Sequence, residues 1–274
     1  MSTAAIDKLI AAGQYAEAFQ LARAEAARYP GDQRLLTTCA DLFLRMEKKD
    51  RAVDVLKYVA EVQAASGSPA KAVVALKKIE SIGRGDQEMV ATIASRIGQR
   101  ADPTAATKPG LYPIPDLDVD DEEIRVVEPS VVEDTIPTPL FEDFSRDELV
   151  AFISGLQLDV FDPGDIIVAQ GDPGNSLFIV TTGILKAFVR VGAGRPAYVR
   201  TLHEGDFFGE ISLLRGGART ATITAATRCE LLELPRTALD SITRLHPRVG
   251  DIMRRFAEER LASDRSLEDH RKHR

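Results

Sequence analysis

Apolar residues recur every three to four positions through the first hundred residues, which places them along one face of a helix. Glycine, proline or clustered charged residues interrupt this pattern at intervals, and such residues are typical of turns between helices. The pattern predicts six helices, at 4–12, 15–28, 33–46, 50–65, 69–82 and 87–99. Residues 1–100 are therefore expected to form an all-helical domain.

The spacing of two alanines suggests how these helices are arranged. Ala18 and Ala52 lie 34 residues apart, each near the start of the second helix of a predicted hairpin, and this is the period of tetratricopeptide repeats. The next such segment, near Ala72, comes only 20 residues after Ala52, so the third unit does not keep the register. We expect tetratricopeptide-like repeats, with a generic array of six helices as the alternative. Either arrangement commonly offers a concave groove, here predicted to bind an unidentified protein partner.

Residues 101–138 lose the helical period and gain proline and acidic residues, including six carboxylates between Asp116 and Glu123. A segment of this composition cannot bury enough apolar surface to fold by itself. We expect a flexible spacer between two domains. The alternative is that its apolar islands, at 124–127 or 131–136, dock on a partner or on the helical domain.

Residues 205–225 carry the clearest chemical signal in the chain. Gly209 and Glu210 precede a short apolar run able to form one or two helical turns, whose exposed N–H groups favour an anion. Arg219 follows a Gly-Gly turn, and its planar fork of donors suits a phosphodiester. The Glu210 carboxylate can only accept hydrogen bonds, so beside a bound anion it needs a donor such as a sugar hydroxyl. The stretch therefore predicts a site for a small phosphate ester with a free hydroxyl.

This stretch resembles the phosphate-binding cassette of cyclic nucleotide-binding domains, found in protein kinase A regulatory subunits, cyclic nucleotide-gated channels and the catabolite activator family. The glycine-punctuated runs 163–167, 171–180 and 182–183 extend the resemblance upstream, so that it covers roughly residues 139–248. It implies an antiparallel β-roll, jelly-roll-like, with flanking helices.

The resemblance also implies a role for each residue of the cassette. Glu210 would accept a hydrogen bond from the ribose 2′-hydroxyl, and Arg219 would pair with the exocyclic phosphate oxygens. The alternative is that both are solvated surface charges and that the glycines merely turn the sheet. Other implied binding residues are Gly209 and Ala221, through their backbone N–H groups, and Ile211 and Leu213, on the apolar side.

Thr220 bears on which nucleotide is bound. Many relatives that prefer cyclic AMP carry alanine directly after the arginine, whereas a threonine there can hydrogen-bond the guanine amino group in relatives that respond to cyclic GMP. Its structural alternative is a β-branched residue starting a strand, since Thr222 and Thr224 continue an alternating pattern. We expect cyclic AMP first and cyclic GMP second, because the threonine also occurs in relatives that accept both.

Beyond Pro235 the helical period returns, from Thr237 to about His246 and again from Val249 towards Leu267. In the family that the cassette resembles, the last helix is a lid that closes over the base. The alternative is an amphipathic helix packed on the β-roll with its arginines in solvent. The candidate lid residues are Phe256, Arg260, Leu261 and Arg265.

Composition and charge narrow the class of protein. The 274 residues carry a formal net charge of −7, a balance that argues against a nucleic-acid partner. No signal peptide and no apolar run long enough to span a bilayer is present, so we expect a cytoplasmic protein without membrane insertion. Cys39 and Cys229 lie far apart and suggest neither a disulfide framework nor a metal site. We find none of the common catalytic motifs, so we expect no enzyme, no cofactor and no metal.

These patterns together predict a multidomain α and α+β chain. It comprises an N-terminal α-helical repeat array (1–100), a disordered linker (101–138), a C-terminal antiparallel β-roll that binds cyclic nucleotide (139–248), and a lid helix with a tail (249–274). We expect a cyclic nucleotide receptor that couples ligand binding to protein–protein interaction through the helical domain. The alternative is a scaffold whose β-roll has degenerated and no longer binds nucleotide.

Overall fold

The computed structural model describes residues 2–29, 32–100, 138–141, 143–192 and 194–258. Contacts between residues divide the chain into two compact units, Met1–Pro137 and Thr138–Arg274. Residues 101–137, which make up nearly all of the predicted linker, lie outside the described residues, and so do Arg260, Leu261 and Arg265.

The described part of the first unit is helical. Its bounds agree with the six predicted helices to within two residues at each end. Each helix packs against the one that follows it, and the fourth also packs against the sixth. The helices are α1 (Ser2–Ala11), α2 (Tyr15–Arg28), α3 (Gln33–Arg45), α4 (Lys49–Ser66), α5 (Pro69–Ser81) and α6 (Gln87–Arg100).

Alanines, larger aliphatic side chains and a few aromatic rings together build the interior of this unit. Ala18 of α2 and Ala52 of α4 are completely buried, which confirms that they are packing residues. Phe19 and Phe43 lie with ring centroids 4.5 Å apart between α2 and α3. Gly67 ends α4 in the left-handed conformation, with φ of 87°, where a residue without Cβ is favoured.

The second unit is built on two antiparallel four-stranded sheets, with strand orders β1-β8-β3-β6 and β2-β7-β4-β5. A 3-10 helix (Pro139–Phe141) and α7 (Arg146–Gly155) precede the sheets. The strands are β1 (Gln157–Phe161), β2 (Ile166–Val168), β3 (Ser176–Thr182), β4 (Leu185–Val189), β5 (Ala197–Leu202), β6 (Phe207–Phe208), β7 (Thr222–Ala225) and β8 (Cys229–Pro235). Three further helices are α8 (Glu210–Arg215), α9 (Arg236–Leu245) and α10 (residues 247–258).

The alternation of side chains along β3 shows how the core is arranged. Phe178 and Val180 point between the two sheets and pack with residues of the second sheet such as Leu185 and Ile223. Leu177 and Ile179 are equally buried, yet lie on the other face because successive strand residues point to opposite sides. Helix α9 packs on β8 and α7 packs on α9, so that a helical layer accompanies the first sheet. The predicted antiparallel sheet unit with flanking helices is confirmed.

Candidate functional site

A cavity of about 440 Å³ opens between α8 and the strands of the second sheet. One side of it is apolar and comes mostly from β2, β4, β5 and β7. The other side carries charged groups and backbone from the segments around α8 and Arg219. The lining residues are Val168, Ala187, Val189, Val199, Arg200, Phe208, Gly209, Glu210, Ile211, Ser212, Arg219, Thr220, Ala221 and Ile223.

Gly209 brings the start of α8 close to the neighbouring strand. It adopts φ of 90° at the N-terminal cap of the helix, a conformation that favours glycine. A Cβ at this position would lie 2.4 Å from Nη1 of Arg219 and 2.5 Å from the carbonyl oxygen of Ser176. Any other residue would therefore displace the guanidinium, and the first turn of α8 would no longer face the cavity as it does.

Arg219 is one of two arginines that line the cavity, the other being Arg200, and only 6% of Arg219 is exposed. Nη1 donates a hydrogen bond of 2.7 Å to the carbonyl oxygen of Ser176 and a longer one of 3.5 Å to that of Gly209. Nη2 donates to Oγ of Ser176 at 2.9 Å. The guanidinium carbon lies 5.7 Å from the centroid of the Phe178 ring, within cation–π range.

Three carboxylates compensate for the burial of this cation. Burial lowers the pKa of Arg219, whereas the negative charges of Glu233, Glu210 and Asp172 raise it. An arginine pKa starts so high that the guanidinium stays protonated at neutral pH. The cavity therefore holds a permanent, partly desolvated positive charge, where an anion is attracted more strongly than at an open surface.

Glu210 is the first residue of α8 and lines the same cavity with 6% exposure. Its carboxylate and the Arg219 guanidinium are close enough to interact electrostatically. The alternative that Glu210 and Arg219 are solvated surface charges is wrong, since both are buried. An acceptor and a cationic donor in one cavity suit a ligand that carries both a hydroxyl and an anion.

The glycine-rich segment 171–174 fixes the chain on either side of Arg219. The Gly171 N–H donates to the Arg219 carbonyl oxygen at 2.9 Å, and the Arg219 N–H donates to that of Asp172 at 2.7 Å. A Cβ on Gly174 would lie 1.9 Å from Cβ of Ser212, so this loop packs directly on α8. The glycine-rich segment 171–174 thus packs directly on the stretch 205–225, which contains α8 and Arg219.

Most of the predicted binding residues line this cavity, with one exception. Glu210, Arg219 and Thr220 do so, together with Gly209, Ile211 and Ala221. Leu213 does not, contrary to prediction, because its side chain is completely buried. In α8 this apolar side chain packs into the interior and is not part of the cavity wall.

Phe256 of α10 does not face the cavity either. Its ring stacks on that of Phe207, with centroids 4.6 Å apart. Phe208, the next residue of β6, lines the cavity and stacks on Phe178 between the sheets. Because neighbouring strand residues point to opposite faces, Phe256 lies on the outer face of the first sheet. Phe256 therefore packs on the sheet, as expected for the alternative in which the last helix is an amphipathic helix packed on the β-roll.

Sequence reasoning missed several residues of the site. Ser176 and Phe178 belong to the run 171–180 that extends the family resemblance, but neither was assigned a role in binding, and Arg200 belongs to no motif. Their places depend on pairing between strands that are distant in sequence. The available signals were small: Ser176 is a polar residue at the start of the apolar run 177–180, and Arg200 is a charged residue in a strand otherwise rich in apolar positions.

Comparison with known proteins defines the class of this domain. A family model described as "Cyclic nucleotide-binding domain" matches residues 158–246, a range that includes Glu210, Arg219 and the walls of the cavity. The match places a cyclic nucleotide-binding domain within the C-terminal unit.

Individual relatives agree with this match. Human potassium/sodium hyperpolarization-activated cyclic nucleotide-gated channel 3 is 33% identical over 129 residues, which are 47% of this chain and 15% of the channel. The cGMP-dependent protein kinase egl-4 of Caenorhabditis elegans is 33% identical over 115 residues, 41% of this chain and 14% of the kinase. The chain thus covers only about a seventh of either relative.

Among solved structures, the chain is similar to the crystal structure of the Thermus thermophilus catabolite activator protein. That structure is 30% identical, with a TM-score of 0.44, and the alignment covers 49% of this chain and 63% of the other. None of the helices among the described residues has the length and apolar composition of a membrane span. The same residues contain no group of three or more His, Cys, Asp or Glu side chains placed to hold a metal ion.

Proposed function

We propose that the C-terminal unit binds a 3′,5′-cyclic nucleotide in the cavity beside α8 and acts as its receptor. One observation carries the proposal: Glu210 and Arg219, oppositely charged and each 6% exposed, line the same cavity. Burying such charges costs free energy, which a ligand with complementary groups recovers. A cyclic nucleotide supplies a phosphodiester anion and a ribose hydroxyl within one small molecule.

Each part of the ligand has a counterpart in the cavity. Arg219 pairs with the exocyclic phosphate oxygens, Glu210 accepts from the ribose 2′-hydroxyl, and backbone N–H groups near Gly209 and Ala221 complete the phosphate site. Apolar side chains of the second sheet, such as Val189, lie where the sugar and base would pack. The cavity volume of about 440 Å³ falls in the range typical of small-molecule sites.

Cyclic AMP is the first candidate ligand and cyclic GMP the second. Thr220 is exposed on the cavity wall, where its hydroxyl is accessible to a ligand. The relatives support the ligand class, since one is a cyclic nucleotide-gated channel and the other a cGMP-dependent kinase. The receptor itself is proposed to be neither an enzyme nor dependent on a metal or cofactor.

The helical unit is proposed to be a tetratricopeptide-like array that binds a protein partner not yet identified. Its support is the 34-residue spacing of Ala18 and Ala52, both of which are completely buried. A flexible linker, a cytoplasmic location and the absence of nucleic-acid and membrane partners complete the proposal. In this view the receptor passes nucleotide occupancy on to the protein partner.

Displacement of a fluorescent cyclic AMP analogue tests the ligand class. Cyclic AMP is expected to displace it at the lowest concentration, cyclic GMP at a higher one, and 5′-AMP only weakly, because the linear monophosphate carries an additional charge and lacks the ring. Failure of the analogue to bind the folded protein would contradict the receptor and leave the alternative, a scaffold with a degenerate β-roll. Equal displacement by 5′-AMP would exclude a site built for the cyclic ester.

A further inference from the structure

Ser176, the first residue of β3, provides two hydrogen-bond acceptors to the same guanidinium. Its carbonyl oxygen accepts from Nη1 of Arg219 at 2.7 Å, and its Oγ accepts from Nη2 at 2.9 Å. Only 6% of Ser176 is exposed, so water competes little for these bonds. One residue thus binds both terminal nitrogens of the guanidinium.

The direction of these bonds determines which edge of Arg219 remains for a ligand. The hydrogen bonds from Nη1 and Nη2 to Ser176 occupy the outer end of the guanidinium, where its two terminal nitrogens lie. Among the described residues, the hydrogen bonds that the Arg219 guanidinium donates all go to Ser176 and Gly209. The edge formed by Nε and the second hydrogen of Nη2 is therefore available, and an edge of this kind makes bidentate contacts with phosphate.

Ser176 is itself held firmly in place. It pairs with Pro235 across β3 and β8, and the carbonyl of the preceding Asn175 accepts the Arg236 N–H at 2.7 Å. The ring of Phe178, two residues further along β3, lies against the guanidinium and is stacked on Phe208 with centroids 5.0 Å apart. The Ser176 acceptors and the Phe178 ring both belong to β3, so this strand sets the plane of the Arg219 guanidinium.

We infer that Ser176 is a positioning residue, whose hydroxyl orients the Arg219 fork so that its free edge meets the phosphate of the ligand. This inference rests on the proposed function of the cavity. With alanine at this position the carbonyl would still hold Nη1, but Nη2 would lose its acceptor and the guanidinium could pivot about a single bond. Orientation, rather than charge, is what the hydroxyl supplies.

Ser176→Ala is expected to weaken the binding of cyclic AMP by about 10-fold, measured by calorimetry on the full chain. Thr181→Val is the matched control. Thr181 lies on the same strand, is equally buried, and donates from Oγ1 to the Glu230 carbonyl at 2.6 Å, away from the cavity. The control removes a buried hydroxyl from β3 and is expected to keep affinity within about twofold, even if it lowers the melting temperature. Unchanged affinity in Ser176→Ala, or an equal loss in both variants, would overturn the inference.

A double-mutant cycle with Arg219→Lys separates positioning from a general effect on the site. Lysine retains the charge but has no fork to orient. Ser176→Ala is therefore expected to change cyclic AMP affinity by less than about twofold in the Arg219→Lys background. The same 10-fold loss in both backgrounds would show that Ser176 acts independently of Arg219.

Nuclear magnetic resonance of the arginine side chains gives a readout that needs no ligand. Bonds to both terminal nitrogens restrict rotation of the guanidinium, so we expect separate Nη proton signals for Arg219, assigned by their loss in Arg219→Lys. These signals should merge in Ser176→Ala and persist in Thr181→Val. Separate signals in Ser176→Ala would contradict the positioning role. If the wild-type protein binds no cyclic AMP yet shows the expected signals, the proposed function fails while the restraint on Arg219 stands.

Discussion

Arg219 combines two properties that rarely coincide in one side chain, a permanent charge and nearly complete burial. The carboxylates of Glu233, Glu210 and Asp172 offset the cost of burying it, and Ser176 accepts two of its hydrogen bonds. Such compensation within a cavity is typical of functional sites. Arg219 is therefore stabilised by groups of the protein itself and also has a proposed partner in the phosphate of the ligand.

Arg219→Ala is expected to reduce cyclic AMP affinity more than Glu210→Ala does. Losing a guanidinium paired with a partly buried phosphate costs roughly 3 to 5 kcal/mol, about two to three and a half decades in Kd. Losing the contact between Glu210 and a hydroxyl costs about 1 to 3 kcal/mol. Calorimetry on both variants, with melting temperatures as the control for folding, checks this order. Wild-type affinity in Arg219→Ala would refute its role as phosphate ligand.

Thr220→Ala tests which base is recognised. If the Thr220 hydroxyl bonds to guanine, the variant should bind cyclic GMP more weakly by about 1 kcal/mol while cyclic AMP affinity stays nearly constant. Parallel titrations with the two nucleotides measure the difference. An equal effect on both would assign Thr220 a purely structural role in the segment just before β7.

At this scale the sequence predicted what local motifs encode. Glu210 and Arg219 lie close together in the chain, within one glycine-rich stretch, and both line one cavity. Leu213 does not line it: an apolar residue in a six-residue helix can face either the ligand or the core, and composition does not distinguish the two. Ser176 was missed because its contact with Arg219 joins residues 43 positions apart.

At the scale of elements, α8 is so short that it depends on contacts with neighbouring elements. A six-residue helix cannot satisfy the carbonyl groups of its last turn internally. Arg236, at the start of α9, donates from Nη2 to the Ser212 carbonyl oxygen at 3.0 Å. A cation at the C-terminal end of a helix also complements its dipole. Helix α8 is thus fixed at its start by Gly209 and further along by α9.

The pairing of β1 with β8 brings two carboxyl groups together. Burial, together with the charge and hydrogen bond of Glu233, raises the pKa of Asp159 to about 6. The folded state therefore binds this proton more tightly than the unfolded state does. The resulting stabilisation is fully present below about pH 4 and is lost as the pH rises through 6.

Asp159→Asn is expected to stabilise the protein at pH 7.5, because the amide removes the unfavourable negative charge. The gain should be about 1 to 2 kcal/mol, less than the full pKa shift implies because the carboxyl is only partly buried. Urea denaturation at pH 7.5 and pH 4 measures it, and the difference from wild type should shrink at the lower pH. Asp162→Asn, which alters an exposed carboxylate paired with Arg228, serves as the control. Equal stability of Asp159→Asn and wild type at pH 7.5 would contradict an unfavourable interaction between the partly buried carboxyl groups of Asp159 and Glu233.

Element boundaries were the most predictable feature of the chain. Turn residues such as Gly67 and Pro69 delimit the helices of the first unit, and the predicted bounds lie within two residues of the observed ones. The orientation of α10 was not predictable, because an amphipathic period shows that one face is buried without showing against what. Phe256 accordingly packs on Phe207 rather than at the cavity.

At the scale of the whole molecule, two units with separate cores share one chain. If nucleotide occupancy changes what the helical unit binds, the free energies of the two binding events must be linked reciprocally. The full chain and a fragment of residues 138–274 should then differ in cyclic AMP affinity, by about 1 to 3 kcal/mol. Fluorescence titration of both proteins checks this, with partner recovery measured with and without cyclic AMP. Identical affinities and nucleotide-independent recovery would mean that the units act independently.

The central claim is that the cavity between α8 and the second sheet binds a cyclic nucleotide. Calorimetric titration of the intact chain with cyclic AMP tests it most directly, because this measurement reports both affinity and stoichiometry without a label. We expect saturable heat corresponding to one nucleotide per chain. A folded wild-type chain that gives no saturable heat with cyclic AMP or cyclic GMP at millimolar concentration would contradict the claim.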